Sequence, residues 1–199
     1  PTNPFDSIAK GEILPIIALI ESSLTVLNVD GGEDYRLRTL RPAEIFFVPN
    51  NEENEQKLAD LFKEMTGISE LNLGISVIHG REIPHKAHSD RAIWFDFRAL
   101  CFGPRSQADY LYLAEHYEMV FVSGLERLTP QEKAEARRLT WLIDVLYDFR
   151  VKLCATSAVG VNDIYVEGDF AEEFTRTASR MVEMQSEVYL EQPHLTLKK

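Results

Sequence analysis

At 199 residues, 45% of them hydrophobic, the chain has the apolar content for a substantial folded core, which excludes a disordered protein. Its 32 Asp and Glu against 21 Lys and Arg give a formal net charge of -11, which excludes recognition of nucleic acid or an anionic membrane through bulk charge. No apolar run reaches the ~18 residues that a membrane span needs.

In chain order, residues 8–22 carry apolar side chains along most of one side and predict a helix, with Pro15 in its first turns where a missing amide is tolerated. A β-branched strand at 24–29 follows and stops at Asp30-Gly31-Gly32, and residues 45–48 form a second short strand. In NNEENEQKLADLFKEMTG, Leu58, Leu61, Phe62 and Met65 share one helical face, with Asn50 or Asn51 as cap and Gly67 as terminator. Residues 73–79 and 81–85 alternate around Gly80 as a hairpin, and 92–97 adds a strand, so this middle section reads as antiparallel. From Ser106 the rhythm changes to helix (107–117), strand (119–123), helix (129–149), strand (151–155) and a final helix at 170–190. Long helices between strands imply parallel pairing, because each crossover needs that much chain. Thr129-Pro130 with Glu132 signals the start of the longest helix. The fold class is therefore α/β, with an antiparallel hairpin and parallel strand-helix units.

Chemistry is harder to place. The phosphate-binding pattern GxxxxGK[ST] is absent. Gly103-Pro104-Arg105-Ser106 follows an apolar strand and precedes a helix, but one glycine, and a proline that removes an amide, suit a capped turn better than a phosphate loop. Ser106 or Asp109 would satisfy the helix's first amides, leaving Arg105 for a partner contact. His85, His88 and Asp90 in PHKAHSD lie in a connection that reads as a solvated loop, so no metal is expected there. Cys101 and Cys154 read as reduced packing residues of a cytoplasmic protein. Arg36 and Arg38 follow the 24–29 strand, while Arg176 and Arg180 stand four apart on the last helix. Either pair suits a phosphate or carboxylate, and the second equally suits a surface ion-pair network with Glu172, Glu173 and Glu183.

Four segments, VDGGEDYRLRTL, WFDFRALCFGPRSQADYLYLAEHY, ARRLTWLIDVLYDFRVKLCATSA and FTRTASRMVEMQSEVYLEQPH, occur in this order. Together they resemble the C-terminal half of the ZapE-type AAA+ (P-loop) ATPases, bacterial cell-division proteins with mitochondrial relatives. The resemblance covers about residues 13–195. It implies ATP hydrolysis by an oligomeric protein, with ATP and Mg2+ bound mainly upstream of this chain, and the division-ring protein FtsZ or another client protein as partner. On that basis residues 1–40 are the end of the AAA+ core and 41–199 a family-specific C-terminal region. Pro1 and the opening PTNPFDS then read as the start of a fragment, expected to be inactive alone.

Arg36 and Arg38 are best placed to approach the nucleotide, since ligands of open α/β sheets lie beyond the strands' carboxyl ends, and Arg176 and Arg180 come second. The family tends to carry an arginine before the FLPAI-like helix, but this chain has Lys10 in KGEILPIIALI, which lacks the planar fork of a trans-acting finger. The segments HYEMVFVSGLERLT and WLIDVLYDFRVKLCATSAVGVNDIY have the rhythm of a P-loop ATPase's acid-bearing strand and its sensor strand. They make the C-terminal region either a degenerate second unit of that kind or ordinary buried parallel strands. The alternative function is a non-catalytic adaptor that recruits a partner through residues 73–97 and the PRSQADY turn.

Overall fold

The computed structural model describes residues 45–195, which lie within one compact unit. The expected helix at 8–22 and strand at 24–29, with Lys10, Arg36 and Arg38, lie outside the described residues. A short strand β1 (Phe46–Phe47) leads into helix α1 (Glu52–Thr66). Asn51 caps α1 by accepting from the Asn54 amide, Glu52, Glu53 and Glu55 complement the positive end of its dipole, and Gly67 closes it in the left-handed region at φ 74°.

The hairpin follows as β2 (Gly74–Ile78) and β3 (Arg81–His85), with His79 and Gly80 both at positive φ, the tight turn that matches strand twist. The PHKAHSD connection is more ordered than the sequence suggests. His85 ends β3, and β4 (Ala87–His88) pairs antiparallel with β5 (Ala92–Asp96). The remaining elements are α2 (Phe97–Cys101), α3 (Gln107–His116), β6 (Met119–Leu125), α4 (Lys133–Asp148), β7 (Lys152–Ser157), α5 (Ala171–Glu183) and α6 (Glu187–Leu190). The expected final helix is thus two helices, because the chain turns after Glu183 and Ser186 opens a new cap on Tyr189 N–H.

Strand order in the main sheet is β1-β7-β6-β5-β4, with β5, β6, β7 and β1 parallel. The antiparallel reading of the middle section therefore holds for the β2–β3 and β4–β5 pairs and ends at β5, whose other neighbour, β6, runs parallel to it. Both faces of the sheet are covered, which is why the strands read as continuous apolar runs. Ile93, Phe95, Val120, Val122, Leu153 and Ala155 face the larger cluster, which also contains Leu139, Ile143, Phe174 and Met181 from α4 and α5. Ala92, Trp94, Met119, Phe121 and Cys154 face the smaller one, against Leu58, Phe62 and Met65 of α1. Phe62 is fully buried and meets Phe121 edge-on at 4.9 Å, so its truncation to Ala would cost about 3–5 kcal/mol.

Candidate functional site

Parallel strands present their carboxyl ends together, and ligands of such sheets collect there. At that edge the register of β6 breaks: Val122 faces Ala155 and Leu125 faces Ser157, three steps on β6 against two on β7. The extra residue is a bulge at Ser123-Gly124, made possible by Gly124 at φ 73°. The Gly124 amide leaves the ladder and donates instead to Thr156 Oγ1 at 2.9 Å.

Glu55, on the first turns of α1, reaches over this edge. Its Oε1 accepts from Lys86 Nζ at 2.5 Å and from Ser123 Oγ at 2.6 Å, and its Oε2 accepts from Thr156 Oγ1 at 3.0 Å. Ser123 Oγ in turn accepts from Trp94 Nε1 at 2.7 Å and from Lys86 Nζ at 3.1 Å. Lys86 completes its contacts with Asp96 at 3.2 Å and lies over the Trp94 ring. Burial would raise the Glu55 carboxyl, but bonds from Lys86, Ser123 and Thr156 outweigh it and hold the group below its ordinary value. A groove of ≈ 320 Å³ opens beside the cluster, walled by Ala59, Leu71, Leu73 and Trp94.

The turn Gly103–Ser106 is a capped helix start. The Ser106 amide and Oγ both donate to Asp109 Oδ2, at 2.7 and 3.0 Å, and fully buried Asp109 also accepts from Arg81 at 2.7 Å. Arg105 donates to the carbonyls of Ala99 (3.1 Å) and Glu82 (3.2 Å), so it ties α2 to the hairpin. On the helical face, Arg180 pairs with Asp144 at 2.5 Å, stacks over Tyr147 and has Asp148 at 3.7 Å. Arg176 is 69% exposed and lies 3.7 Å from the same Asp144. The ion-pair network of α5 thus runs to α4. Beside it, Arg137, Trp141, Phe170 and Arg176 line a second pocket of ≈ 320 Å³.

His85 bonds Ser76 at 2.9 Å, and its imidazole is held below its ordinary value by burial and then by the nearby His88. Among the described residues no three His, Cys, Asp or Glu side chains gather as a metal cluster, and no helix is long and apolar enough to cross a membrane. Both cysteines are buried free thiols, and burial pushes Cys101 up to about 12.

The structure therefore gathers Glu55, Lys86, Ser123 and Thr156, of which the sequence signalled Ser123 and Thr156 only as members of the two strand segments with a P-loop rhythm. One of three acids in a first turn and a lysine in a connection gave no periodic signal for the other two. Arg176 and Arg180 belong to a different face, on α5.

Cell division protein ZapE of Escherichia coli (strain K12) is 33% identical to the chain over 190 residues, covering 96% of the chain and 51% of the relative. Uncharacterized protein C115.02c of Schizosaccharomyces pombe is 32% identical over 167 residues, covering 80% and 36%. Lactation elevated protein 1 homolog B of Danio rerio is 23% identical over 224 residues, covering 92% and 44%. The chain spans about half the length of the curated relatives it matches first. No solved structure is significantly similar to it. A family model described as AFG1-like ATPase matches residues 5–193, and with the ZapE similarity this shows that the chain belongs to the AFG1-like, ZapE-type family of AAA+ ATPases.

Proposed function

We propose that the intact protein hydrolyses ATP as an oligomeric AAA+ ATPase of cell division, in the cytoplasm, with FtsZ or another division protein as partner. Family membership across residues 5–193 is the observation that carries this reading. ATP and Mg2+ do not fit the described residues: the strand-to-helix turn Val48-Pro49-Asn50-Asn51 has neither glycine nor lysine, and the helix it opens starts with three acids. No catalytic step is therefore assigned to residues 45–195, whose part is packing and subunit or client contact. Nucleotide contact is first sought outside them, at Arg36 and Arg38; within them the second pair, Arg176 and Arg180, is the remaining candidate, and Arg176 is the more exposed of the two.

The test compares ATP turnover by the intact protein, its Arg36→Ala variant and the 199-residue chain. Turnover is expected in the first, a loss of at least about tenfold in the second without loss of fold, and none in the third. Unchanged turnover in Arg36→Ala removes that residue from the site, and no turnover in the intact protein overturns the ATPase reading.

A second reading, an adaptor that recruits a protein partner, is favoured by the hairpin. Leu73, Ile75 and Val77 are 80%, 60% and 64% exposed in one alternating row at β2. Retention of FtsZ by the chain, lost on Ile75→Glu and Val77→Glu, supports it; retention unaffected by both removes the hairpin as the contact.

A further inference from the structure

The strongest unassigned feature is the cluster over the carboxyl edge of the sheet. Three arrangements coincide there. A strand, a short turn and a helix (β1, Val48–Asn51, α1) have the order of a phosphate-binding unit, and β1 lies beside β7 rather than beside any strand next to it in sequence. Donors from three other places converge on one point: Lys86 after the hairpin, Ser123 at the β6 bulge and Thr156 at the end of β7. At that point lies an oxyanion, and it is the chain's own.

We infer that the carboxyl edge of this sheet is a phosphate-type oxyanion receptor that the chain closes with its own side chain, the Glu55 carboxylate standing where a phosphate ligand would be held. Of the alternatives offered by the sequence, a degenerate P-loop-like unit or ordinary parallel strands, this inference adopts the first. Three donors from separate segments meet one carboxylate at the strand edge, and that acid occupies the place a phosphate would need. The bulge carries the same message, since it takes the Gly124 amide out of the ladder and orients Thr156 Oγ1, which accepts from that amide, to donate to the carboxylate. This inference stands on the fold of residues 45–195 and not on the ATPase reading.

The test is chemical rescue in the 199-residue chain. Glu55→Ala removes the internal anion and leaves Ser123, Thr156 and Lys86, the last still beside Asp96 at 3.2 Å, facing a gap. Formate and inorganic phosphate, each compared with chloride at equal ionic strength, are expected to raise the unfolding temperature of Glu55→Ala by about 3 °C more than that of wild type at tenfold saturation, wild type giving the non-specific effect of each salt. Trp94, which donates to Ser123, gives a local readout once Trp141→Phe silences the only other tryptophan, and its emission should follow the same anion titration. Adding Lys86→Met should abolish both responses.

Equal responses in chloride, or rescue that survives Lys86→Met, overturn the inference. Rescue by formate without phosphate overturns its phosphate-type part and leaves a carboxylate staple. If Glu55→Ala does not fold in chloride, the measurement becomes recovery of folded protein. Recovery in formate and in phosphate supports the receptor, and failure in both, with Glu55→Gln folding normally, overturns it.

Discussion

Lys152 is 1% exposed and has no carboxylate partner among the described residues. Its Nζ donates to the carbonyls of Tyr189 (2.9 Å) and Gln192 (2.6 Å), beneath the Tyr189 ring. Burial, then the charge of Arg150, brings its pKa down to about 8 from 10.5. Between those values the unfolded chain holds a proton that the folded chain has released, so this residue's contribution to stability improves as pH rises from about 8 towards 10.5. The raised cysteines and tyrosines act in the opposite direction, but equally in wild type and in Lys152→Met. Chemical denaturation of both proteins across that range is expected to show their stability difference shifting in wild type's favour. A pH-independent difference would mean that Lys152 titrates normally.

At the scale of elements, the hairpin depends on its turn. Gly80 has φ 74° and open space where a side chain would project, so any cost of substitution is backbone strain alone. Gly80→Asn should be nearly neutral, because Asn tolerates the left-handed region, and Gly80→Val should cost about 1–2 kcal/mol. Thermal unfolding of the two variants checks this, and equal losses would show that steric contact matters after all.

The hairpin was legible because alternation and turn chemistry are local, as were the caps at Asn51, Ser106 and Thr129. The carboxyl-edge cluster was not legible. Glu55 and Thr156 are 101 positions apart, and the β6 bulge that orients them depends on a Ser-Gly pair that reads equally well as a strand end. The break after Glu183 was missed for a similar reason, since Met184, Tyr189 and Leu190 continue the apolar pattern through the turn and are all buried.

For the whole molecule, the sheet concentrates its burial in the middle. Every residue of β7 is buried, as is every residue of β6 except Gly124, whereas β2 is largely exposed and β1 contributes two half-buried residues. Amide exchange should therefore open in layers, with β6 and β7 exchanging only through global unfolding and the β2–β3 hairpin at a much lower free energy. Uniform protection across the hairpin and β6 would show a single cooperative unit instead. The same gradient sets an exposed hairpin against a carboxyl edge built on the buried strands β6 and β7.

The clasp on Lys152 also gives the chain a schedule. Its two acceptors lie 37 and 40 positions further on, so a ribosome adding about 5–20 residues per second takes roughly 2–8 s to supply them. Until they are in place, the lysine at the start of β7 can donate only to water. Completion of this corner thus waits on residues 189–192, and a chain that stops short of them would leave the lysine end of β7 uncovered.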